Sequence, residues 1–165
     1  MVDVLSESQR RLNMSHIRGK DTKPEMLVRK GLHARGRRFR LHRRDLPGSP
    51  DLVFSGFSAV VFVHGCFWHG HDCQLMTMPS TRTDFWSAKL AANSARDRRA
   101  VRALRALGWR VLTIWECSLR GRRRLEFEAV IGMAERFLVG RRGTAEITGR
   151  KAIRASRVML GTALA

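Results

Sequence analysis

Residues 59–64 read Ala59-Val-Val-Phe-Val-His64, an almost unbroken apolar run. A strand with one wet face alternates apolar and polar residues, whereas a run without alternation marks a strand covered on both faces. Helices must therefore lie on either side of it. Asp51-Leu-Val-Phe54 precedes it across the tight connection Ser55-Gly-Phe-Ser58, and Trp109-Arg-Val-Leu-Thr-Ile-Trp115 reads as a further strand. Thr22-Lys-Pro-Glu25 is a helix start: Thr22 caps, Glu25 completes a capping box, and Pro24 suits the first turn. That helix is expected to run to about Arg35, with Glu25, Val28 and Leu32 on its inward face. Phe39 and Leu41 alternate with arginines, as in an exposed edge strand. Helices are also expected over 7–17, from Thr83 to Leu107 with Val101, Leu104 and Leu107 inward, and from about Leu125 to Leu138. The order predicts an α/β fold, a small mixed central sheet flanked by helices. One domain should span 1–140, and 141–165 should form a basic, flexible tail.

The chain carries 32 Lys+Arg against 14 Asp+Glu, a formal charge of +18. Such a surface fits a polyanion, most simply nucleic acid. Arg makes up 27 of the 32 cations, and its planar fork suits phosphate. With 44% hydrophobic residues the chain can still form a core. No apolar run approaches the roughly 18–20 residues that span a bilayer, and the N-terminal segment lacks the apolar stretch of a secretory signal. Three cysteines are too few for a disulfide framework, so a reducing cytoplasm is expected, with thiols free for metal.

Cys66, His71 and Cys73 fall within eight residues, and Cys117 follows the strand ending at Trp115. Three thiolates and one imidazole make a closed tetrahedral set of the kind Zn²⁺ prefers. A full ligand set leaves no open position, so this metal should hold the loop from Gly65 to Ser80 rather than do chemistry.

If Ser55–Ser58 closes a hairpin, Phe54 pairs with Ala59 and Asp51 lies opposite Phe62, which makes Asp51 and His64 diagonal neighbours on one face. A carboxylate at a strand end, beside a backbone carbonyl, can hold Mg²⁺. His69 lies between the metal ligands, and Asp97 is an isolated acid in an Arg-rich helix. A His–Asp pair can make a general base, but spacing alone does not pair these two.

Here the residues carry a resemblance. Asn13-Met14, Asp21-Thr22, Leu46-Pro-Gly-Ser-Pro-Asp51, Val63-His-Gly-Cys-Phe-Trp-His69, Thr81-Arg-Thr-Asp-Phe-Trp86, Arg96-Asp-Arg-Arg99 and Trp115-Glu-Cys-Ser-Leu-Arg-Gly121 resemble the very-short-patch repair endonucleases. The similarity runs from about Ser8 to Leu138. It implies a restriction-endonuclease-like fold with a structural zinc loop. It also implies a Mg²⁺-dependent hydrolase that nicks one DNA strand at T·G mismatches left by deamination of 5-methylcytosine. Carried over, Asp51 ligates Mg²⁺ with the main-chain carbonyl of Val63, and His69 is the general base oriented by Asp97. His64 and Glu25 complete the network around the metal waters. Cys66, His71, Cys73 and Cys117 bind zinc. Phe67, Trp68 and Trp86 enter the base stack, and Met14, in the 7–17 helix against DNA, enters from the opposite groove. The implied setting is a monomer on the nucleoid of a prokaryotic cytoplasm. Its partners would be double-stranded DNA bearing a T·G mismatch, mismatch-repair proteins and a repair polymerase, with no membrane. The sequence departs from the family pattern at Val63, commonly Thr, and at Gly70 and Asp72. Two rivals are a non-catalytic zinc-containing DNA-binding module and an RNA-binding ribosomal-type protein.

Overall fold

A computed structural model describes residues 19–150, together with Gln9 and Leu12. Its elements are α1 (Lys23–Ala34), β1 (Arg40–Leu41), β2 (Leu52–Phe54), a 3₁₀ turn (Ser55–Phe57), β3 (Ala59–His64), α2 (Thr83–Ala106), β4 (Arg110–Trp115), α3 (Glu116–Leu119), α4 (Phe127–Val139) and β5 (Thr144–Ile147). The strands form one five-stranded sheet in the order β1-β2-β3-β4-β5. β1, β2 and β3 are antiparallel neighbours, while β3–β4 and β4–β5 are parallel. The long helix α2 supplies the crossover that a parallel β3–β4 pair requires.

All six residues of β3 are buried, and the two faces divide them. Ala59, Val61 and Val63 join a core with Val28 and Leu32 of α1 and Ile131 and Phe137 of α4. Val60 and Phe62 join a second core with Leu104 of α2, Val111 and Leu46. The missing alternation in this segment thus reports two covered faces. Leu112 of β4 is fully buried in the first core, and truncating such a residue to Ala costs about 2–5 kcal/mol.

The capping box forms: the Thr22 hydroxyl accepts from the Glu25 N–H, and Glu25 Oε2 accepts from the Thr22 N–H. α2 departs from expectation at its end, where Leu107 is 62% exposed. It is the C-cap, and Gly108, at φ +83°, turns the chain away before Leu107 can point inward.

The tail boundary at 141 also needs correction. Thr144–Ile147 pairs parallel with β4 and buries Ile147. As an edge strand it buries little and is flanked by Arg141, Arg142 and Arg150, so its pattern is too weak to stand out in the sequence. Arg110, at the start of β4, anchors the same corner. Its guanidinium donates to the carbonyls of Phe57, Phe137, Leu138 and Gly140 at 2.7–2.8 Å, a cationic cap on the end of α4. The expected helix over 7–17 and residues 151–165 lie outside the described residues apart from Gln9 and Leu12. No helix among the described residues is long and apolar enough to cross a membrane.

Candidate active site and metal cluster

β3 ends at His64, and the chain turns at once into the loop that carries Cys66, His69, His71 and Cys73. β4 runs parallel beside it, with Trp115 paired to His64, so Cys117 emerges next to Cys66. One ligand atom from each of Cys66, His71, Cys73 and Cys117 lies within 4.8 Å of the others. Backbone N–H groups point at the sulfurs: Cys117 donates to Cys66 Sγ at 3.3 Å, Gly149 to Cys117 Sγ at 3.3 Å, and Leu75 to Cys73 Sγ at 3.4 Å. Burial pushes the Cys66 and Cys117 thiols up, and neighbouring thiolates add to it. A soft divalent cation offsets that cost, so the three-sulfur, one-nitrogen donor set fits a structural metal. Disulfides play no part; all three cysteines are free.

The hairpin register is Phe54↔Ala59, Val53↔Val60 and Leu52↔Val61, which sets Asp51 opposite Phe62. The Val63 N–H donates to Asp51 Oδ2 at 2.7 Å. Burial raises the Asp51 carboxyl to about 6, against the lowering effect of that N–H, and the charge of Glu25 adds to the rise. A carboxylate held under this strain is ready to receive a cation.

His69 and Asp97 do meet. Nδ1 of the imidazole lies 2.6 Å from Asp97 Oδ2, because α2 crosses the loop and delivers its acid there. The Nδ1–H donates to the Asp97 carboxylate, which leaves Nε2 as a lone-pair acceptor. Burial acts upward on Asp97, but the hydrogen bond from His69 and the charges of His69 and Arg96 bring it below the ordinary carboxylate value. His64 stacks on His69 at 3.8 Å between centroids, 4° from parallel. Burial lowers His64 to about 3, and the charge of His69 adds to this, so its ring is neutral. Asp51, His64, His69, Asp97, His42 and Arg96 line one cleft of about 270 Å³.

Glu25 is buried at the N-terminus of α1, and its partners were not legible in the sequence. The buried guanidinium of Arg29 donates to Glu25 Oε1, to Asp21 Oδ1 at 2.6 Å and to His42 Nε2 at 2.6 Å. An Arg can only donate, so His42 Nε2 accepts and its Nδ1 carries the proton in the neutral ring. That Nδ1 lies 3.8 Å from Asp51 Oδ1, which links the Glu25 group to the Asp51 carboxylate. A helix start with acids at 21 and 25 and an Arg four residues on was the available signal. A lone His among edge-strand arginines was not.

Phe67, Trp68 and Trp86 form a contiguous cluster. Phe67 meets Trp68 at 5.1 Å and Trp86 at 5.2 Å, and the two indoles are 6.1 Å apart. All three are partly exposed. Phe85, 47% exposed, extends the patch, and Lys89 lies 5.3–5.7 Å from three of the rings. Asn93 of α2 donates to the Trp68 carbonyl at 2.9 Å, fixing the loop tip. Met14 lies outside the described residues.

Residues 2–75 match a family model described as DNA mismatch endonuclease Vsr. The chain is 44% identical over 147 residues to DNA mismatch endonuclease Vsr of Escherichia coli, covering 89% of this chain and 94% of that one. It is 55% identical over 119 residues to the type II nicking enzyme V.XorIIP of Xanthomonas oryzae pv. oryzae, covering 72% and 88%. In fold it is similar to the catalytic domain of homing endonuclease I-Bth0305I. That match has a TM-score of 0.50 at 20% identity, covering 72% of this chain and 96% of the other.

Proposed function

The chain belongs to the DNA mismatch endonuclease Vsr family, and from that premise we propose that it nicks one strand of duplex DNA at T·G mismatches by Mg²⁺-dependent hydrolysis. The observation that carries the reading is the His69–Asp97 pair at 2.6 Å, in one cleft with Asp51.

Asp51 and the main-chain carbonyl of Val63 are the residues that would hold Mg²⁺, which when bound neutralises charge at the scissile phosphate and the leaving oxygen. His69 Nε2 takes the proton of the attacking water, and Asp97 holds the tautomer and stabilises the imidazolium that results. Neutral His64, stacked on that ring, positions it without adding a competing charge. Glu25, held by Arg29, faces the same network. Cys66, His71, Cys73 and Cys117 would hold Zn²⁺ as a structural ion that fixes the loop carrying His69.

Phe67, Trp68 and Trp86 are the wedges, with Met14 opposing them. A T·G wobble is weakly stacked, so inserting aromatic rings costs less there than at a matched pair, by a few kcal/mol. Arg96, Arg98, Arg99, Arg120 and Arg122 supply phosphate contacts around the site. The nicked strand is a substrate for a repair polymerase.

The test is a nicking assay on duplexes that differ only in one T·G or T·A pair, with Mg²⁺. The reading expects one-strand cleavage beside the T·G pair and little on the matched duplex. Tight binding with no nick would favour a DNA-binding module instead.

A further inference from the structure

Trp115, the last residue of β4, has no part in the chemistry described above, yet its indole touches three imidazoles. It stacks on His71 at 4.1 Å and 15°. It meets His64 at 5.3 Å and 72°, and His69 at 6.3 Å and 74°. Its Nε1–H donates to Glu146 Oε2 at 2.9 Å, on strand β5. The ring thus stands as a wall between the Cys/His cluster and the His64–His69 stack, and is itself pinned from the outer strand.

An indole has two side-chain torsions. The parallel β3–β4 register places its backbone beside His64, and the Glu146 bond fixes the ring plane. Trp115 and Glu146 are both partly or fully exposed, so filling the core does not account for the arrangement. A rigid ring that stacks on His71 and meets His69 nearly at right angles couples the orientation of one to the other.

We propose that Trp115, pinned by Glu146, is a positioning residue that transmits the fixed orientation of His71 in the Cys/His cluster to the His64–His69 stack, and so aims His69 Nε2 into the cleft. The inference rests on the reading of His69 as general base. It also gives β5 a role: the edge strand supplies the carboxylate that locks the ring.

The experiment uses the full chain as wild type, Trp115→Ala, Trp115→Phe and Glu146→Ala. Single-turnover nicking and affinity are measured on a T·G duplex, and bound zinc is measured in the same samples. The downfield imidazole N–H proton of the His69–Asp97 pair is followed by NMR. Trp115→Ala is expected to nick about 10–100-fold more slowly, with duplex affinity and bound zinc unchanged and the imidazole proton shifted or broadened. Trp115→Phe, which keeps a flat ring, should recover most of the rate, and Glu146→Ala should be slowed several-fold. If Trp115→Ala does not fold, Glu146→Ala carries the test, because it removes an exposed bond alone. Wild-type rate and an unmoved imidazole proton in these variants would overturn the proposal. So would a rate loss that tracks zinc loss while the imidazole proton of the folded fraction is unchanged. If the wild type nicks no duplex but the imidazole proton still responds to Trp115→Ala, the functional reading falls and the positioning role stands.

Discussion

The imidazoles of His64 and His69 lie face to face, 3.8 Å apart and 4° from parallel. Two cations cannot share that geometry in a buried site, and His64 is the ring that stays neutral, lowered to about 3 by burial and by its neighbour. The unfolded chain binds this proton at the ordinary value near 6.5, so it takes up more protons than the folded chain between pH 6.5 and 3. Stability should therefore fall as pH drops through that window. Thermal melts of wild type and His64→Gln from pH 7 to pH 4 measure it. The wild type is expected to lose about 2–3 kcal/mol more than the variant by pH 4. Identical slopes would remove His64 from the account.

Asp51 has the opposite sign. Its folded value is raised to about 6 from 3.8, so the folded chain holds the proton more tightly and loses stability as pH rises through that range, the full penalty being present above it. Asp51→Asn, measured in chelator, should melt higher than wild type at pH 7 by about 1–3 kcal/mol and lose that advantage near pH 3. Added Mg²⁺ should stabilise the wild type alone. A variant less stable than wild type at pH 7 would show that the carboxylate is structural.

Cys73→Ser should lose bound zinc and melt several degrees lower, with strong chelators producing the same shift in the wild type. Elemental analysis and thermal melts check both. A stable wild type that carries no metal as purified would contradict the closed four-ligand cluster.

Trp68→Ala should cost discrimination rather than general affinity. Losing one base–aromatic stack is worth about 1–3 kcal/mol, so T·G binding is expected to weaken roughly 5–150-fold while matched-duplex binding stays within about threefold. Equal losses on both duplexes would place Trp68 among the general DNA contacts.

The parts of this site legible in the sequence are those set by short-range rules. The register of Asp51 follows from a short hairpin connection and the pleat. The Cys/His cluster follows from ligand chemistry, because every cysteine offers its sulfur to the same group of four side chains. The His69–Asp97 pair spans 28 residues and depends on where α2 crosses the loop, which no spacing encodes. The Arg29–His42 contact depends on α1 packing against the end of β1. Strand β5 was hidden because four residues with one buried side chain carry almost no periodicity, although Glu146 in it holds Trp115.

The most direct measurement is single-turnover nicking of a T·G duplex with Mg²⁺ by the wild type beside His69→Gln, with duplex affinity measured in parallel. The wild type should cut one strand beside the mismatch. His69→Gln should bind equally well and cut at least about 100-fold more slowly. Wild-type rates in the variant, or a wild type that binds the mismatch and never cuts it, would contradict the account.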